Sequence, residues 1–199
     1  MLAEMLSGGR AGHRVSALTA TGMVALLVGG CGGSSKSPGT VSASSYMGQV
    51  CTSVASWVHA VQSRAAELER QVAAKPNAAG AKKELEAFVG ATIADTETAV
   101  NALRSAGVPN VANGKKIASA LLGAFERAGA TLKSLKPKVA ALSATDTAAV
   151  QVEAKRVGGT VQALPLDLGT GLAGVNSSEL DKAASESDAC KRVGARGKA

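Results

Sequence analysis

Residues 46–72, YMGQVCTSVASWVHAVQSRAAELERQV, decide the fold class. Val50, Val54, Trp57, Val58, Val61, Ala65, Leu68 and Val72 recur at spacings of three and four. That spacing places them on one stripe of an α-helix, not on alternate faces of a strand. The helix is predicted to stop near Lys75-Pro76-Asn77, because proline disfavours helical backbone in the residue before it.

The same reading extends outward. Leu85, Phe88, Val89, Ile93, Thr96, Val100 and Leu103 form a second stripe, which ends at the turn signal Gly107-Val108-Pro109-Asn110. A third carries Ile117, Leu121, Phe125, Ala128, Leu132 and Leu135, and Pro137 is expected to interrupt it. Asp146 or Thr145 can cap a fourth, with Val150, Ala154, Val157, Val161 and Leu164 in phase. Gly158-Gly159 weakens that helix by roughly 1 kcal/mol per glycine relative to alanine. A looser stretch is expected from Pro165 to Val175, then a short helix capped within Asn176-Ser177-Ser178 and running through Val193. The expected architecture is all-α: an antiparallel four-helix bundle over residues 46–194 with a short fifth C-terminal helix, followed by a basic tail at 195–199.

Composition agrees with that class. The 199 residues include 40 alanines but only one Trp, one Tyr and two Phe, although 46% are hydrophobic. Sandwiches and barrels draw on β-branched and aromatic residues, whereas alanine is the strongest helix former. With 19% charged residues and regularly spaced apolar ones, wholesale disorder is excluded, and the length suits one ordinary domain.

The N-terminus has another purpose. Arg10 and Arg14 precede an apolar run from Val15 to Val28, long enough for a signal-peptide core but shorter than the roughly 20 residues of a membrane span. Translation could start at Met1 or Met5 with the same mature product. The run ends in Val28-Gly29-Gly30-Cys31, which resembles the lipobox of bacterial lipoproteins. The resemblance implies a signal peptide at residues 1–30, cleavage before Cys31, and diacylglycerol on the Cys31 thiol. It places the protein on the extracytoplasmic face of the cell membrane, with membrane lipid as its anchor partner. The alternative is an ordinary secreted protein with a chance cysteine near its cleavage site. Residues 31–45 begin CGGSSKSPGT and are expected to form a flexible Gly/Ser linker, with a span of roughly 20 Å. In overall composition the chain also resembles small Ala-rich lipoproteins of high-GC Gram-positive bacteria, many without assigned function.

Two cysteines remain, Cys51 at the start of the first helix and Cys190 in the last. Outside the cytoplasm two leftover thiols are expected to pair, the alternative being two buried free thiols. Pairing requires those two helix segments to touch.

A search for catalytic chemistry finds little. His59, the one histidine beyond the leader, lies off the apolar stripe with no nucleophile placed beside it. Asp95 and Glu97, like Glu84 and Glu86, are two apart on a helix and point to different faces, so neither pair is a catalytic or metal-binding carboxylate couple. Asn113-Gly114-Lys115-Lys116 lacks the first glycine and the Ser/Thr of a phosphate-binding loop and reads as a helix start. Thr92, Thr96 and Gly123 fall on or near inward faces, where small residues permit either close helix approach or a narrow cavity.

Loss of residues 1–30 would leave a net charge of +6, with Lys133, Lys136 and Lys138 around Pro137, and Lys191, Arg192, Arg196 and Lys198 at the C-terminus. Such a face is either ordinary solvated surface or weakly attractive to anionic envelope polymers. Nucleic acid is not an expected partner, because single-strand binding wants aromatic platforms this chain lacks. No catalytic residue, cofactor or metal is expected. The leading expectation is a non-enzymatic binding or scaffolding lipoprotein of the cell envelope, and the alternative is a solute- or lipid-binding accessory protein with an interhelical pocket.

Overall fold

Short polar side chains set where most of the helices begin. The computed structural model describes residues 39–171 and 177–196, with side-chain surroundings for 39–165 and 177–192. Residues 1–38, which hold the expected signal peptide, Cys31 and the first part of the expected linker, lie outside the described residues, as do Asn176 and Lys198. In order, the elements are β1 (Thr40–Val41), α1 (Ala43–Ala73), α2 (Ala78–Ser105), β2 (Val108–Pro109), α3 (Gly114–Ala140), α4 (Thr147–Gly171), α5 (Ser178–Glu186) and α6 (Asp188–Arg196). The chain is predominantly helical, as the periodicity requires.

Ser42 Oγ accepts from Ser45 N at 3.1 Å to cap α1, and Asn77 Oδ1 accepts from Gly80 N at 2.8 Å to cap α2. Of the two candidate caps for α4, Asp146 is the one used: its Oδ1 accepts from Ala149 N at 2.9 Å. Each such contact satisfies one of the N–H groups that a helix start leaves free. At the other end of α3, Lys82 Nζ reaches across from α2 and donates to the carbonyls of Ala140 and Leu142 at 2.6 and 3.0 Å. A cation is well placed there, against the negative end of the helix dipole.

The buried stripes follow the sequence closely. All of the expected apolar positions on α2, α3 and α4 are buried, and on α1 only Val54 and Val58 are partly exposed. Alanine fills the seams between them: Ala78, Ala81, Ala99, Ala106, Ala124 and Ala128 are all buried. Helix α1 packs on α2 and α4, α2 on α3 and α4, and α3 on α4, while α5 and α6 pack on α1 and on each other.

Five expectations need correction. Regular structure occurs earlier than expected, since residues 40–45 of the anticipated linker form β1, the Ser42 cap and the first residues of α1. Residues 108–109, read only as a turn, pair as β2 in parallel with β1, Thr40 opposite Val108 and Val41 opposite Pro109. Pro109 has no N–H to give, and the pairing uses those of its neighbours: Val108 N donates to Gly39 O and Asn110 N to Val41 O. Pro137 does not break α3, because it stands in the last turn, where a proline costs few hydrogen bonds and Leu135 and Val139 go on burying their side chains. Pro165 likewise lies within α4, which continues to Gly171 through the stretch expected to be loose. Beyond it there are two short helices instead of one, divided at Ser187, whose extended backbone ends α5 while its N–H still donates to Ala183 O.

Candidate functional site

The sequence offered several candidate clusters, and the structure disperses most of them. Asp95 pairs with Arg64 of α1 at 2.6 Å, whereas Glu97 pairs with Lys133 of α3 at 2.8 Å. Glu84 meets Lys75 at 2.7 Å and Glu86 meets Lys82 at 3.8 Å. Each carboxylate thus faces a cation of its own, and among the described residues no group of His, Cys, Asp and Glu could hold a metal ion. His59 is exposed.

The Asn113-Gly114 start of α3 is a steric device. Asn113 adopts a left-handed backbone with φ of 60°. A β-carbon on Gly114 would lie 2.0 Å from the Pro109 carbonyl oxygen, so only glycine fits.

Thr92 and Thr96 are fully buried in packed core. Trp57 Nε1 donates to Thr96 Oγ1 at 2.9 Å, Thr96 Oγ1 donates to Thr92 O, and Thr92 Oγ1 to Phe88 O, both at 2.9 Å. The Trp57 ring meets Phe125 edge-on at 5.0 Å between centroids. Every polar atom in this chain has a partner, which leaves nothing to recognise a ligand. Gly123 is half-buried, and a β-carbon there would meet only Arg127.

The basic groups are largely answered by acids. Lys133 is paired with Glu97, Lys191 lies 3.4 Å from Asp188, and Lys136 and Lys138 stand close enough to Glu97 and Glu153 to lower their pKa. The Glu97 and Glu153 carboxyls are held below the usual carboxylate range, first by hydrogen bonds from Lys133 and Arg156 respectively.

Cys51 and Cys190 are joined by a disulfide, with a Cα separation of 4.9 Å. It ties α6 to the third turn of α1 and thereby holds the α5–α6 pair against the body. Beside it, α1, α3 and α5 line a cavity of about 180 Å³ that is open to solvent on one side. Its apolar wall comes from Met47 and Val50 on α1, Ile117 and Leu121 on α3, and Leu180 and Ala184 on α5. Three polar residues join them: Tyr46, Ser177 and Asp181. The Ser177 hydroxyl is occupied, accepting from Leu180 N and donating to Glu179. Tyr46 is 3% exposed, and among the described residues no group hydrogen-bonds to its hydroxyl. Burial pushes the Tyr46 phenol above the ordinary tyrosine pKa.

Two larger clefts lie on helix seams. The one of about 400 Å³ between α1 and α2 is walled by Arg64, Glu67 and Glu84, each already in an ion pair. That of about 590 Å³ beside Leu103 and Leu122 is flanked by Arg104, itself paired with Glu126 at 2.7 Å. The Tyr46 cleft differs in combining an apolar wall with a hydroxyl that no described residue engages. Sequence reading took Tyr46 only as the start of the helical body. The available signal was its place one turn before Val50, a polar tip on an otherwise apolar stripe.

The chain matches no protein-family model, no curated protein and no solved structure.

Proposed function

We propose that this is a lipid-anchored, extracytoplasmic, non-enzymatic binding module of the bacterial cell envelope. The observation that carries the reading is the cysteine arrangement. Cys51 and Cys190 are consumed by a disulfide, as suits an oxidising compartment, and Cys31 is left at the end of a leader-like stretch in a lipobox-like Val-Gly-Gly-Cys. Two or three acyl chains, at about 0.8 kcal/mol per buried CH₂, would anchor such a protein durably. The body it carries is proposed to be an antiparallel four-helix bundle. Consecutive long helices touch and are joined by short connections, 74–77, 106–113 and 141–146, which favours up-and-down order. The paired carboxylates and the solitary exposed His59 argue for binding over catalysis. Any attraction to anionic envelope polymers is weak in this reading, because acidic neighbours answer much of the basic face.

Cell fractionation with Cys31→Ala tests the anchor. The variant should move from the membrane fraction to the medium, and retention in the membrane would refute the lipoprotein reading. A second reading, that the module binds amphiphiles, is favoured by one specific observation: the apolar cavity at Tyr46. Saturable uptake of a small amphiphile by the purified protein is its test.

A further inference from the structure

We infer that the cavity between α1, α3 and α5 binds the acyl end of an uncharged ester amphiphile, with the Tyr46 hydroxyl donating to the ester carbonyl. This rests on the amphiphile-binding reading above and names the class of ligand.

Size sets the first constraint. A sealed cavity of about 150 Å³ lined by aliphatic side chains accommodates benzene, and this one, open on one side, is about 180 Å³. It therefore takes a short stretch of alkyl chain and leaves the rest of a lipid outside. The facing side chains, Met47, Val50, Ile117, Leu121 and Leu180, offer only apolar contact. Methionine among them adapts its shape to a flexible chain.

Polarity sets the second. Tyr46 lines the cavity nearly completely buried, and no described residue satisfies its hydroxyl. Among the described residues no buried polar side-chain atom lacks a partner, so this hydroxyl is not sealed off: it still reaches solvent and stands as a donor that a ligand acceptor can engage. An ester carbonyl is such an acceptor.

Charge sets the third. Among the described residues no lysine or arginine lines the cavity, while Asp181 does, and Glu179 is hydrogen-bonded to Ser177 in its wall. A carboxylate or phosphate drawn against the apolar wall beside Tyr46 would lose solvation with no described cation to pair it. A cationic head would find Asp181 exposed and solvated, where an ion pair adds little, and would leave the Tyr46 donor unused.

The test uses the full-length Cys31→Ala chain, titrated calorimetrically with 1-monooctanoylglycerol, octanoate and octylammonium below their micelle concentrations. The glycerol ester should bind at one site per chain, and both ions at least about tenfold more weakly. Tyr46→Phe keeps the ring and removes the donor, so it should weaken ester binding about fivefold to tenfold. Ala184→Leu, at a half-buried wall position, should fill the cavity and abolish binding with little effect on folding. Ester binding unchanged in Tyr46→Phe, or either ion binding as tightly as the ester, would overturn the inference while leaving amphiphile binding intact. Absence of binding by all three probes would overturn both. Fractionation of the same Cys31→Ala variant reads the anchor separately, so neither result decides the other.

Discussion

Trp57 and Tyr46 are the only residues of their types in the chain, and their polar tips meet opposite fates. The indole N–H of Trp57 is buried and satisfied by Thr96, which in turn donates to the backbone one turn back. Thr96→Val preserves the shape but removes the acceptor, stranding a buried N–H. The expected loss is about 1–3 kcal/mol of stability in urea unfolding, with Thr96→Ser losing less because its hydroxyl remains. Tyr46 keeps its hydroxyl in an apolar wall, where burial disfavours the phenolate. Since no other tyrosine is present, tyrosinate absorbance reports this residue alone in the intact protein. Its titration midpoint should lie above the ordinary tyrosine value of about 10. The linkage has a definite sign. In the unfolded chain Tyr46 loses its proton first, so stability falls as pH rises through the ordinary tyrosine range, and Tyr46→Phe should remove that contribution. The same hydroxyl explains why the site was hard to see beforehand. A lone tyrosine on a helical stripe looks like any core residue until the chain that packs against it, here α5, is known.

At the scale of elements, α1 to α4 were legible because burial demands apolar residues at a helical period, and every long stripe shows it. The details that escaped depend on partners distant in sequence. The pairing of β1 with β2 joins segments almost seventy residues apart and leaves no local periodicity. Pro137 looked like a breaker, but a proline in the last turn sacrifices little while Val139 still reaches the core. Gly114 was read as part of a polar helix start, and its actual constraint is the Pro109 carbonyl. Gly114→Ala should therefore cost at least about 2 kcal/mol through forced displacement at the β2–α3 junction, measured by thermal or urea unfolding. The disulfide matters for a different reason. Helices α5 and α6 are nine residues each, too short to persist without tertiary contacts. They pack on α1 and on each other, and the bridge fastens α6 there. Cys51→Ser with Cys190→Ser should lower global stability by about 2–5 kcal/mol. Hydrogen exchange should rise first in α5 and α6 while the cores of α1 to α4 stay protected. Uniform acceleration across all six helices would show instead that the C-terminal pair is integral to the body.

For the whole molecule, the distribution of charge makes acid destabilising by two routes. The Glu67, Glu97 and Glu153 carboxyls are each held below the usual carboxylate range, first by a hydrogen bond from Arg70, Lys133 and Arg156 respectively. A lowered folded-state pKa stabilises the fold above the ordinary carboxylate range, and that stabilisation disappears as pH falls through it to the lowered value. Solvent and salt screen the Glu67 and Glu97 pairs, which lie at the surface. The Glu153 side chain is 15% exposed, and Lys138 lowers its pKa further, so Glu153 should dominate the specific part of the acid response. A second effect accompanies it. The full chain carries 22 Lys and Arg against 15 Asp and Glu, and protonating the acids leaves the cations to repel one another. The two effects separate experimentally. In urea unfolding from neutral pH down to about pH 2, Glu153→Gln should be less stable than the parent near neutrality and lose less on acidification, the two curves converging once Glu153 is protonated. Added salt should recover much of the repulsive loss in both proteins, because screening weakens like-charge repulsion between exposed groups. Salt should not close the neutral-pH gap between them to the same degree, since the Glu153–Arg156 contact is short, hydrogen-bonded and half sheltered from solvent. Parallel acid curves for the two proteins would instead assign the whole acid response to net charge.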